Sequence, residues 1–402
     1  MINSKDIVDD LISKAKKAQS LLEKLTQEKI DEIVTAIAWA VCKPSNNKKI
    51  SEQAVKDTGL GNVNDKILKN RRKTIGLLRD LKNVKTIGVI NEDIKKGIIE
   101  IAKPIGIVGA VTPSTNPAAT PINNIINALK CRNSIIISPS PSGSNVFKSL
   151  LNLINNELKK INAPENLVQT FDCQVTKELT NLLMSKVNLV IVTGSLNNVK
   201  QASISGTPAI GVGQGNVTSI IDETADLSSA VKKIKASKIF DNATSCSSEN
   251  NLIILEEVYD QTIKLMTEEN AILLNKEEKT KLQNSLWIDG KLNRKIIAKS
   301  ADVIIKEIDL KKDASFDFIL VEETGVGKEF PFSGEKLSPI LTVYKAKNFN
   351  EAKIISNKIL HYQGIGHSIG IHSKKEDRIL DLALELPGCR VKVNQAHTFA
   401  TG

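Results

Sequence analysis

Apolar positions in the amino-terminal part of the chain recur at the three-to-four-residue spacing of amphipathic helices. Within residues 4–41 they fall on one helical face, with Ser4 and Thr26 as expected N-caps and Pro44 as the stop. The same spacing predicts further helices over 47–58 and 63–82.

After Lys85 the pattern changes to short apolar segments punctuated by glycine, at 87–90, 97–101 and 105–111, which is typical of buried strands. Strands and helices then alternate strictly, and this succession indicates βαβ units with a parallel sheet, the frame of a dinucleotide-binding domain. The expected helices are 117–130, 144–160, 176–186 and 195–204, and the expected strands are 134–138, 167–171, 189–193 and 208–212.

A second α/β unit is predicted from residue 217 onward. Its expected helices are 225–239, 257–269, 277–284, 350–358 and 375–384, and its expected strands are 251–256, 302–305, 317–321, 340–344 and 390–393. We therefore expect a dinucleotide-binding domain over 1–216, a catalytic domain over 217–393, and the start of a return segment over 394–402.

Composition narrows the class of protein. The 402 residues are 41% hydrophobic and 25% charged, as in ordinary globular proteins, and no apolar run is long enough for a membrane helix. The start of the chain shows no signal-peptide core, and the five widely spaced cysteines include no CxxC pair. A reduced, cytoplasmic protein without a disulfide framework or zinc site is expected.

The net charge of +10 raises the question of nucleic-acid binding. Only seven of the 55 basic residues are arginine, aromatic residues make up 3% of the chain, and the densest basic segment, 66–79, has helical spacing of apolar residues. Proteins that read or clamp nucleic acids favour clustered arginine or interleaved aromatics, so no nucleic-acid partner is expected.

Among the cysteines, Cys246 is the candidate nucleophile because it lies in a polar stretch between a long helix and a strand. A buried cysteine in a turn is the alternative. The other four cysteines are interpreted as packing residues.

Three further segments carry candidate chemistry. Thr193, Gly194 and Ser195 follow a strand and open a helix, which suits a pyrophosphate or simply an N-capped turn. Asn116, between two prolines after a strand, has an amide suited to an oxyanion or to an Asx-turn. Glu335 precedes a proline-marked strand, where a carboxylate suits a ribose hydroxyl or is an ordinary exposed side chain.

In this order and spacing, these segments resemble the aldehyde dehydrogenase superfamily, and specifically its coenzyme A-acylating branch. The resemblance extends over nearly the whole chain, from Thr58-Gly-Leu-Gly-Asn through Thr112-Pro-Ser-Thr-Asn-Pro and Phe240-Asp-Asn to Glu335-Lys-Leu-Ser-Pro and Val393-Asn394. It implies a Rossmann-type cofactor-binding domain plus an α/β catalytic domain, with NAD or NADP as cofactor and coenzyme A as co-substrate. The implied catalytic residues are Cys246 as nucleophile and Asn116 as oxyanion donor, and the implied cofactor contacts are Pro113, Thr193, Gly194, Ser195, Gly213 and Glu335.

One departure from the hydrolytic members of that superfamily bears on the reaction. Those members carry a water-activating glutamate in a Glu-Leu-Gly-Gly segment, where this chain has Gly211-Val-Gly-Gln-Gly215. Without that carboxylate, water lacks its base, whereas a thiol acceptor is nucleophilic as a thiolate. Transfer of the acyl group to coenzyme A is therefore expected.

The residues around Cys246 are hydroxylic rather than apolar, namely Thr244, Ser245, Ser247 and Ser248. Within the acylating branch, the segment 240–250 also resembles that of enzymes acting on sulfoacetaldehyde, and hydroxyl donors suit a sulfonate. The resemblance therefore implies sulfoacetaldehyde as the substrate, with Ser245 and Ser247 as expected contacts; hydroxyls that only cap a turn are the alternative. Acetaldehyde or propionaldehyde is the alternative substrate, and a catalytically inactive nucleotide-binding remnant is the alternative from another class.

The remaining expectations concern His367, metals and assembly. His367 matches a Gly-His pair of acylating relatives and is expected to line the coenzyme A or substrate path, or to be a structural turn residue. The other histidines lack partners at metal spacing, so no metal is expected. The chain stops at Gly402, inside a stretch that relatives continue toward an oligomerisation strand, so a homodimer or homotetramer is expected only if that segment is present.

Overall fold

The computed structural model describes residues 3–310 and 314–398. The described residues form two compact units, one holding the chain up to Gly59 and Val63–Gly213, the other holding Leu60–Asn62 and the chain from Gln214 onward. The expected return segment over 394–402 is described only as far as residue 398; its last four residues lie outside the described part.

The first unit begins with four helices and continues with alternating strands and helices, as the apolar periodicity predicts. Thr26 caps the second helix by accepting the Lys29 N–H, whereas Asn3 rather than Ser4 caps the first. Its elements are α1 (Ser4–Leu22), α2 (Gln27–Cys42), α3 (Pro44–Thr58), α4 (Val63–Leu81), β1 (Gly88–Asp93), β2 (Ile98–Ala102), β3 (Ile107–Thr112), α5 (Ala119–Lys130), β4 (Ser134–Pro139), α6 (Ser144–Lys160), β5 (Val168–Thr170), α7 (Lys177–Lys186), β6 (Leu189–Thr193), α8 (Leu196–Ser203) and β7 (Ala209–Val212).

Five parallel strands of this unit form one sheet in the order β5-β4-β3-β6-β7. Along the chain, β3, β4 and β5 follow one another toward one edge of the sheet, and β6 and β7 then continue from β3 toward the opposite edge. The direction in which the sheet is wound therefore reverses between β3 and β6. The core joins the inner faces of α2, α5 and α6 to the sheet through fully buried side chains such as Ile33, Ile122 and Phe147. Each such apolar side chain contributes about 1.5–3 kcal/mol by its removal from water.

The strands β1 and β2 correct one expectation. They pair antiparallel with each other and form a separate two-stranded sheet, and their residues are mostly exposed, including Val89, Ile99 and Ile101. The expectation of buried strands is wrong because an apolar, glycine-punctuated run reports β-propensity but not what covers the strand.

The second unit contains one larger parallel sheet in the order β10-β13-β14-β9-β8-β15-β16. Its core packs central-strand residues such as Ile253 and Val343 against Ile234 of a flanking helix. Its elements are β8 (Val217–Ile221), α9 (Leu227–Ile239), β9 (Glu249–Leu255), α10 (Glu256–Glu268), β10 (Ala271–Leu273), α11 (Lys276–Leu286), β11 (Trp287–Ile288), β12 (Lys291–Leu292), α12 (Ala301–Glu307), β13 (Phe318–Glu322), β14 (Ile340–Ala346), α13 (Phe349–Tyr362), β15 (Ser368–His372), α14 (Glu376–Glu385) and β16 (Arg390–Val393).

The strand predicted over 302–305 is wrong, because this segment belongs to the helix α12. Ala301, Ile304 and Ile305 are buried at helical spacing, and a short apolar run does not distinguish a strand from the buried face of a helix. The fold class nevertheless agrees with the expectation of two α/β units built on parallel sheets.

Candidate active site

Cys246 lies in the segment that joins α9 to β9, and it is the only partly exposed residue between Ala243 and Asn251. Thr244 and Ser247 are 1% exposed and Ser245 is 8% exposed. The loop therefore buries its hydroxylic side chains and presents the cysteine, as a nucleophile requires.

The entry to this loop has an unusual backbone. Asp241, Asn242 and Ala243 have φ of 50°, 51° and 57°, in the left-handed region, although none of them is glycine. The Asp241 carboxylate accepts hydrogen bonds from the Thr244 hydroxyl at 2.5 Å and from the Asn62 N–H at 3.0 Å. These bonds hold a conformation that costs energy in isolation, which is common where a fold positions a reactive group.

The exit of the loop is held by the last turn of α9. The Ser248 hydroxyl donates to the Ser237 carbonyl at 3.3 Å, and the Lys238 amine donates to the Glu249 carbonyl at 2.7 Å. Lys238 and Glu249 are fully buried, and burial lowers the pKa of Lys238 to about 7 and raises the pKa of Glu249 to about 7. Both ends of the Cys246 loop are thus fixed from within the unit.

Gly215 packs directly against Cys246. A Cβ at position 215 would lie 2.2 Å from the Cys246 carbonyl oxygen and 2.7 Å from the Cys246 Cβ, closer than any side chain can approach. The Gly215 N–H also donates to Glu335 Oε1 at 3.2 Å. A glycine is therefore required at this position, and it brings Glu335 next to the cysteine loop.

Buried asparagines join the loops of Gly215, Cys246 and Glu335. Asn251 donates to Asn216 Oδ1 at 2.9 Å and to the Ser333 carbonyl at 3.2 Å, and Asn216 donates to the same carbonyl at 2.8 Å. Asn250 accepts the Lys336 N–H at 3.1 Å and donates to the Ser248 carbonyl at 3.3 Å. We refer to Asn216, Asn250 and Asn251 as the asparagine lattice.

The carboxyl group of Glu335 has an altered proton affinity. Burial and the neighbouring Cys246 raise the pKa of Glu335 to about 8, against the opposing effects of the Gly215 N–H and the amines of Lys336 and Lys238. Lys336 is itself fully buried, donates to the Phe332 and Gly334 carbonyls at 2.6 and 2.9 Å, and has a pKa lowered well below its ordinary value by burial.

His367 directly precedes β15. It is 7% exposed, its Nδ1 has no hydrogen-bond partner among the described residues, and burial together with Arg390 lowers its pKa to about 4. Gly364, with φ of 99°, lies so close to Asn216 that a Cβ there would be 2.9 Å from the Asn216 Cβ. The turn before His367 therefore packs onto the asparagine lattice.

These residues share one edge of the second sheet. Gly215, Cys246, Glu335 and His367 precede β8, β9, β14 and β15, which are four adjacent parallel strands in the order β14-β9-β8-β15. Because the amino ends of parallel strands meet at one edge, the loops that enter these strands form a single site.

In the first unit the predicted cofactor residues lie at the opposite kind of edge. Pro113 follows β3, Thr193 ends β6 with Gly194 directly after it, and Gly213 follows β7, all at carboxyl ends of adjacent strands. Asn116, the predicted oxyanion donor, also follows β3. The winding of the sheet reverses between β3 and β6, and ligands of open α/β sheets bind outside the carboxyl ends at such a reversal.

Two polar groups at this edge bear on a ligand. Asn116 is 8% exposed, and its buried Oδ1 has no hydrogen-bond partner among the described residues. Ser195 is the N-cap of α8 and accepts the Asn198 N–H at 3.3 Å, so it directs the helix amino terminus and its partial positive charge toward this edge. An orphaned amide oxygen and a helix amino terminus at a winding reversal fit a dinucleotide.

Comparison with known proteins assigns the family. The sequence profile of the aldehyde dehydrogenase family matches residues 2–286. A sulfoacetaldehyde dehydrogenase (acylating) from Cupriavidus necator is 48% identical over 399 residues, covering 99% of this chain and 81% of the relative. The chain belongs to the aldehyde dehydrogenase family.

Solved structures of aldehyde dehydrogenases agree. An acetylating aldehyde dehydrogenase from Geobacillus thermoglucosidasius has a TM-score of 0.94 at 38% identity, covering 98% of this chain and 87% of that one. A Rhodopseudomonas palustris propionaldehyde dehydrogenase with bound CoA and an acylated cysteine has a TM-score of 0.86 at 28% identity, covering 98% and 89%. The expected resemblance to the acylating branch is confirmed, as is the enzyme class, an oxidoreductase acting on aldehydes.

The four hydroxyl groups of the Cys246 loop in this aldehyde dehydrogenase are not equivalent. Thr244 and Ser248 donate to groups of the protein, to Asp241 and to the Ser237 carbonyl. Ser245 Oγ and Ser247 Oγ lie 2.9 Å apart, so only one of them donates to the other. One of the two hydroxyl protons is therefore not used within this pair, and Ser245 is its more exposed member.

The other four cysteines are free thiols. The expectation that the remaining cysteines are packing residues is wrong for Cys131, Cys173 and Cys389, which are exposed, because they lie in a turn or bend rather than on an apolar face of a helix or strand. Residues 3–310 and 314–398 contain no group of three or more potential metal ligands and no helix long and apolar enough to cross a membrane.

The asparagine lattice, Lys238 and Lys336 are parts of the site that the sequence did not predict. Their buried positions were not evident from the sequence, because asparagine and lysine are usually exposed. The partners of the Asn216 and Asn251 side chains also lie 35 to 117 positions away along the chain. The available signal was the run Ser248-Glu-Asn-Asn251 at the start of a strand, where four consecutive polar residues would be unusual in a buried strand.

Proposed function

We propose that the protein oxidises an aldehyde with a nicotinamide dinucleotide and transfers the acyl group to coenzyme A, with Cys246 as the nucleophile. The observation that carries this proposal is the presentation of Cys246, partly exposed in an otherwise buried loop, beside a Glu335 held by Gly215. Similarity to acylating relatives supports the same reaction.

The proposed reaction begins with attack of the Cys246 thiolate on the aldehyde carbon. The Asn116 amide and the Cys246 N–H stabilise the oxyanion of the resulting hemithioacetal. Bound nicotinamide dinucleotide supplies the hydride acceptor, with Thr193, Gly194, Ser195, Pro113 and Gly213 as proposed contacts and Glu335 at the ribose. Loss of the hydride leaves a thioester on Cys246, and attack by the coenzyme A thiol releases the acyl product and the cysteine.

Coenzyme A rather than water is the proposed acceptor. Residues 211–215 carry no carboxylate to deprotonate water, whereas a thiol, with an ordinary pKa of about 8.5, gives up its proton far more readily than water and needs only a weak base. His367, buried at the same sheet edge as Cys246, is proposed to line the path of coenzyme A or substrate.

We propose sulfoacetaldehyde as the aldehyde. The hydroxyl proton left by the Ser245–Ser247 pair suits a sulfonate oxygen, the chain carries a net charge of +10, and a sulfoacetaldehyde dehydrogenase is a 48% identical relative. Acetaldehyde or propionaldehyde is the alternative, favoured by the solved structures of acetylating and propionaldehyde enzymes.

The test is coenzyme A-dependent reduction of NAD and NADP with sulfoacetaldehyde and acetaldehyde side by side. We expect sulfoacetaldehyde to be preferred, and we expect Ser245→Ala to lower kcat/KM for sulfoacetaldehyde about 10-fold by removing a charge-assisted hydrogen bond, with acetaldehyde little affected. Equal losses on both substrates would remove Ser245 from sulfonate recognition. A wild-type preference for acetaldehyde would reject the proposed substrate and retain the reaction.

The same assay with Cys246→Ala separates an enzyme from a nucleotide-binding remnant. The variant should bind the dinucleotide and lack turnover; aldehyde oxidation by the variant would contradict the assignment of the nucleophile. If the wild type binds the dinucleotide but oxidises neither aldehyde, the remnant is the better description. Light scattering of the same samples distinguishes a homodimer or homotetramer from a monomer.

A further inference from the structure

Glu335 lies between the cysteine loop and an open cavity. On one side the Gly215 N–H holds its carboxyl group next to Cys246. On the other side it borders a cavity of about 530 Å³, whose lining includes Trp287, Tyr362 and Gln363. Its backbone N–H donates to Gln363 Oε1 at 2.9 Å, which fixes the turn that carries it.

Glu335 also differs in accessibility from the other carboxyl groups near this loop. Asp241 and Glu249 are fully buried, and Asp241 already accepts from Thr244 and Asn62, whereas Glu335 is partly exposed. Of these three carboxyl groups, Glu335 is therefore the one that is accessible from outside the protein.

The charged and titratable surroundings of Glu335 make it a weak acid. Cys246 opposes its ionisation, while the amines of Lys238 and Lys336, both fully buried, favour it. Glu249 faces Lys238 and Glu323 faces Lys336, so each amine is shared with a second carboxyl group. A carboxyl group in such a setting retains its proton to higher pH than usual. Its pKa therefore lies close to that of a thiol, which suits proton transfer between the two groups.

We propose that Glu335 is the general base that accepts the proton of the coenzyme A thiol during acyl transfer from Cys246. This inference rests on the proposed function, in which the Glu335 carboxylate binds the ribose of the dinucleotide. It adds a second role for the same carboxylate after the dinucleotide has dissociated. The coenzyme A sulfur forms a bond to the thioester carbon as its proton passes to Glu335. The bond from that carbon to the Cys246 sulfur then breaks, and the departing sulfur recovers the proton.

The test isolates acyl transfer from hydride transfer. Wild-type protein is given sulfoacetyl-CoA or acetyl-CoA together with isotopically labelled coenzyme A, without any nicotinamide cofactor, and exchange of label into the thioester is measured from pH 6.5 to 10. We expect the wild-type rate to rise through pH 8 as Glu335 loses its proton. Glu335→Gln should lower exchange about 100-fold at pH 7.5.

The pH dependence separates a base from a merely structural residue. The deficit of Glu335→Gln should shrink above about pH 9, where the thiol ionises without help. A deficit that is constant across the pH range, or an exchange rate unchanged from the wild type, would overturn the proposal. Glu335→Asp, which keeps a carboxylate, should retain part of the exchange and its pH-dependent rise.

Two controls complete the experiment. Glu329→Gln makes the same chemical change at an exposed position in the same loop and should leave exchange unchanged. Absence of label exchange in the wild type with both thioesters would reject acyl transfer itself, and with it the proposed function. Loss of NADH formation in Glu335→Gln with intact exchange would assign the carboxylate to the ribose alone.

Discussion

The first unit gathers its candidate residues at the carboxyl ends of parallel strands, whereas the second gathers them at the amino ends. In the first, Pro113, Asn116 and Thr193 flank the winding reversal between β3 and β6. In the second, Cys246 and Glu335 lie in the loops that precede β9 and β14. The strand order of a parallel sheet does not predict a site at the amino ends of its strands. The same α/β architecture thus builds two sites by different means.

The two units also differ in how far apart in the sequence the hydrogen-bonded residues of each site lie. The first unit uses local devices, such as the Ser195 cap, which bonds to a residue three positions away. The second unit uses bonds between residues that are distant in sequence, with 35, 82 and 117 residues separating the partners in the bonds of Asn216 and Asn251. A nucleotide can be held by backbone and helix ends, but a nucleophile must be positioned by its surroundings.

The strongest test of this comparison is a pair of glycine substitutions. Gly215→Ala should lower kcat by about 100-fold or more, because its Cβ would lie 2.2 Å from a backbone oxygen of Cys246 and would displace the nucleophile. Gly194→Ala, at the carboxyl edge of the first unit, meets only Asn198 Nδ2 at 3.6 Å and should be accommodated. Steady-state kinetics with both substrates varied provide the measurement.

The two variants should also differ in which constant changes. Since Gly194 is a proposed cofactor contact, its substitution should raise KM for the dinucleotide while kcat stays near the wild-type value. Equal effects of both substitutions on kcat would contradict the distinction between a backbone-defined ligand site and a packed nucleophile.

A second test targets the asparagine lattice. Asn251→Ala removes two donated hydrogen bonds and leaves Asn216 Oδ1 without its donor, so the free energy of unfolding should fall by about 2–3 kcal/mol. Because the loops of Gly215 and Glu335 lose a shared support, kcat should fall as well. Urea unfolding and steady-state kinetics on the same samples measure both effects.

The matched control lies in the first unit. The buried Thr170 hydroxyl donates to the Ile137 carbonyl at 2.8 Å, and Thr170→Val removes it with little change of shape. We expect a loss of about 1 kcal/mol and unchanged kinetics. If Asn251→Ala loses stability but keeps full activity, the lattice supports the fold and does not position the site.

This difference in sequence separation also explains which parts of the fold and of the site could be predicted from the sequence. The alternating elements of the first unit were predictable because they depend on local periodicity, and β6 has the predicted bounds. Cys246 and the segment around Gly194 were recognisable from their flanking residues. The asparagine lattice was not, because its partners are set by the register of β8, β9 and the loop before β14, which no local pattern specifies.

The third test uses the distribution of histidines, all four of which lie in the second unit. His372 ends β15 and is 2% exposed; burial and Lys233 lower its pKa to about 4. Between pH 6.5 and 4 the unfolded chain binds a proton at this histidine that the folded chain does not, so acid destabilises the fold. From pH 6.5 to 4.5 the wild type should lose about 2 kcal/mol more unfolding free energy than His372→Asn.

The two tryptophans allow each unit to be followed separately. Trp39 lies in α2 of the first unit, and Trp287 packs edge-on against Phe332 in the second, with ring centroids 5.0 Å apart. In a Trp39→Phe background, Trp287 fluorescence should report the loss of stability at acid pH, and His372→Asn should reduce that loss. His361 is exposed, so His361→Asn should leave the pH dependence of stability unchanged. If Trp39, in a Trp287→Phe background, reports the same pH dependence, the two units unfold as one and the acid response is not confined to the second.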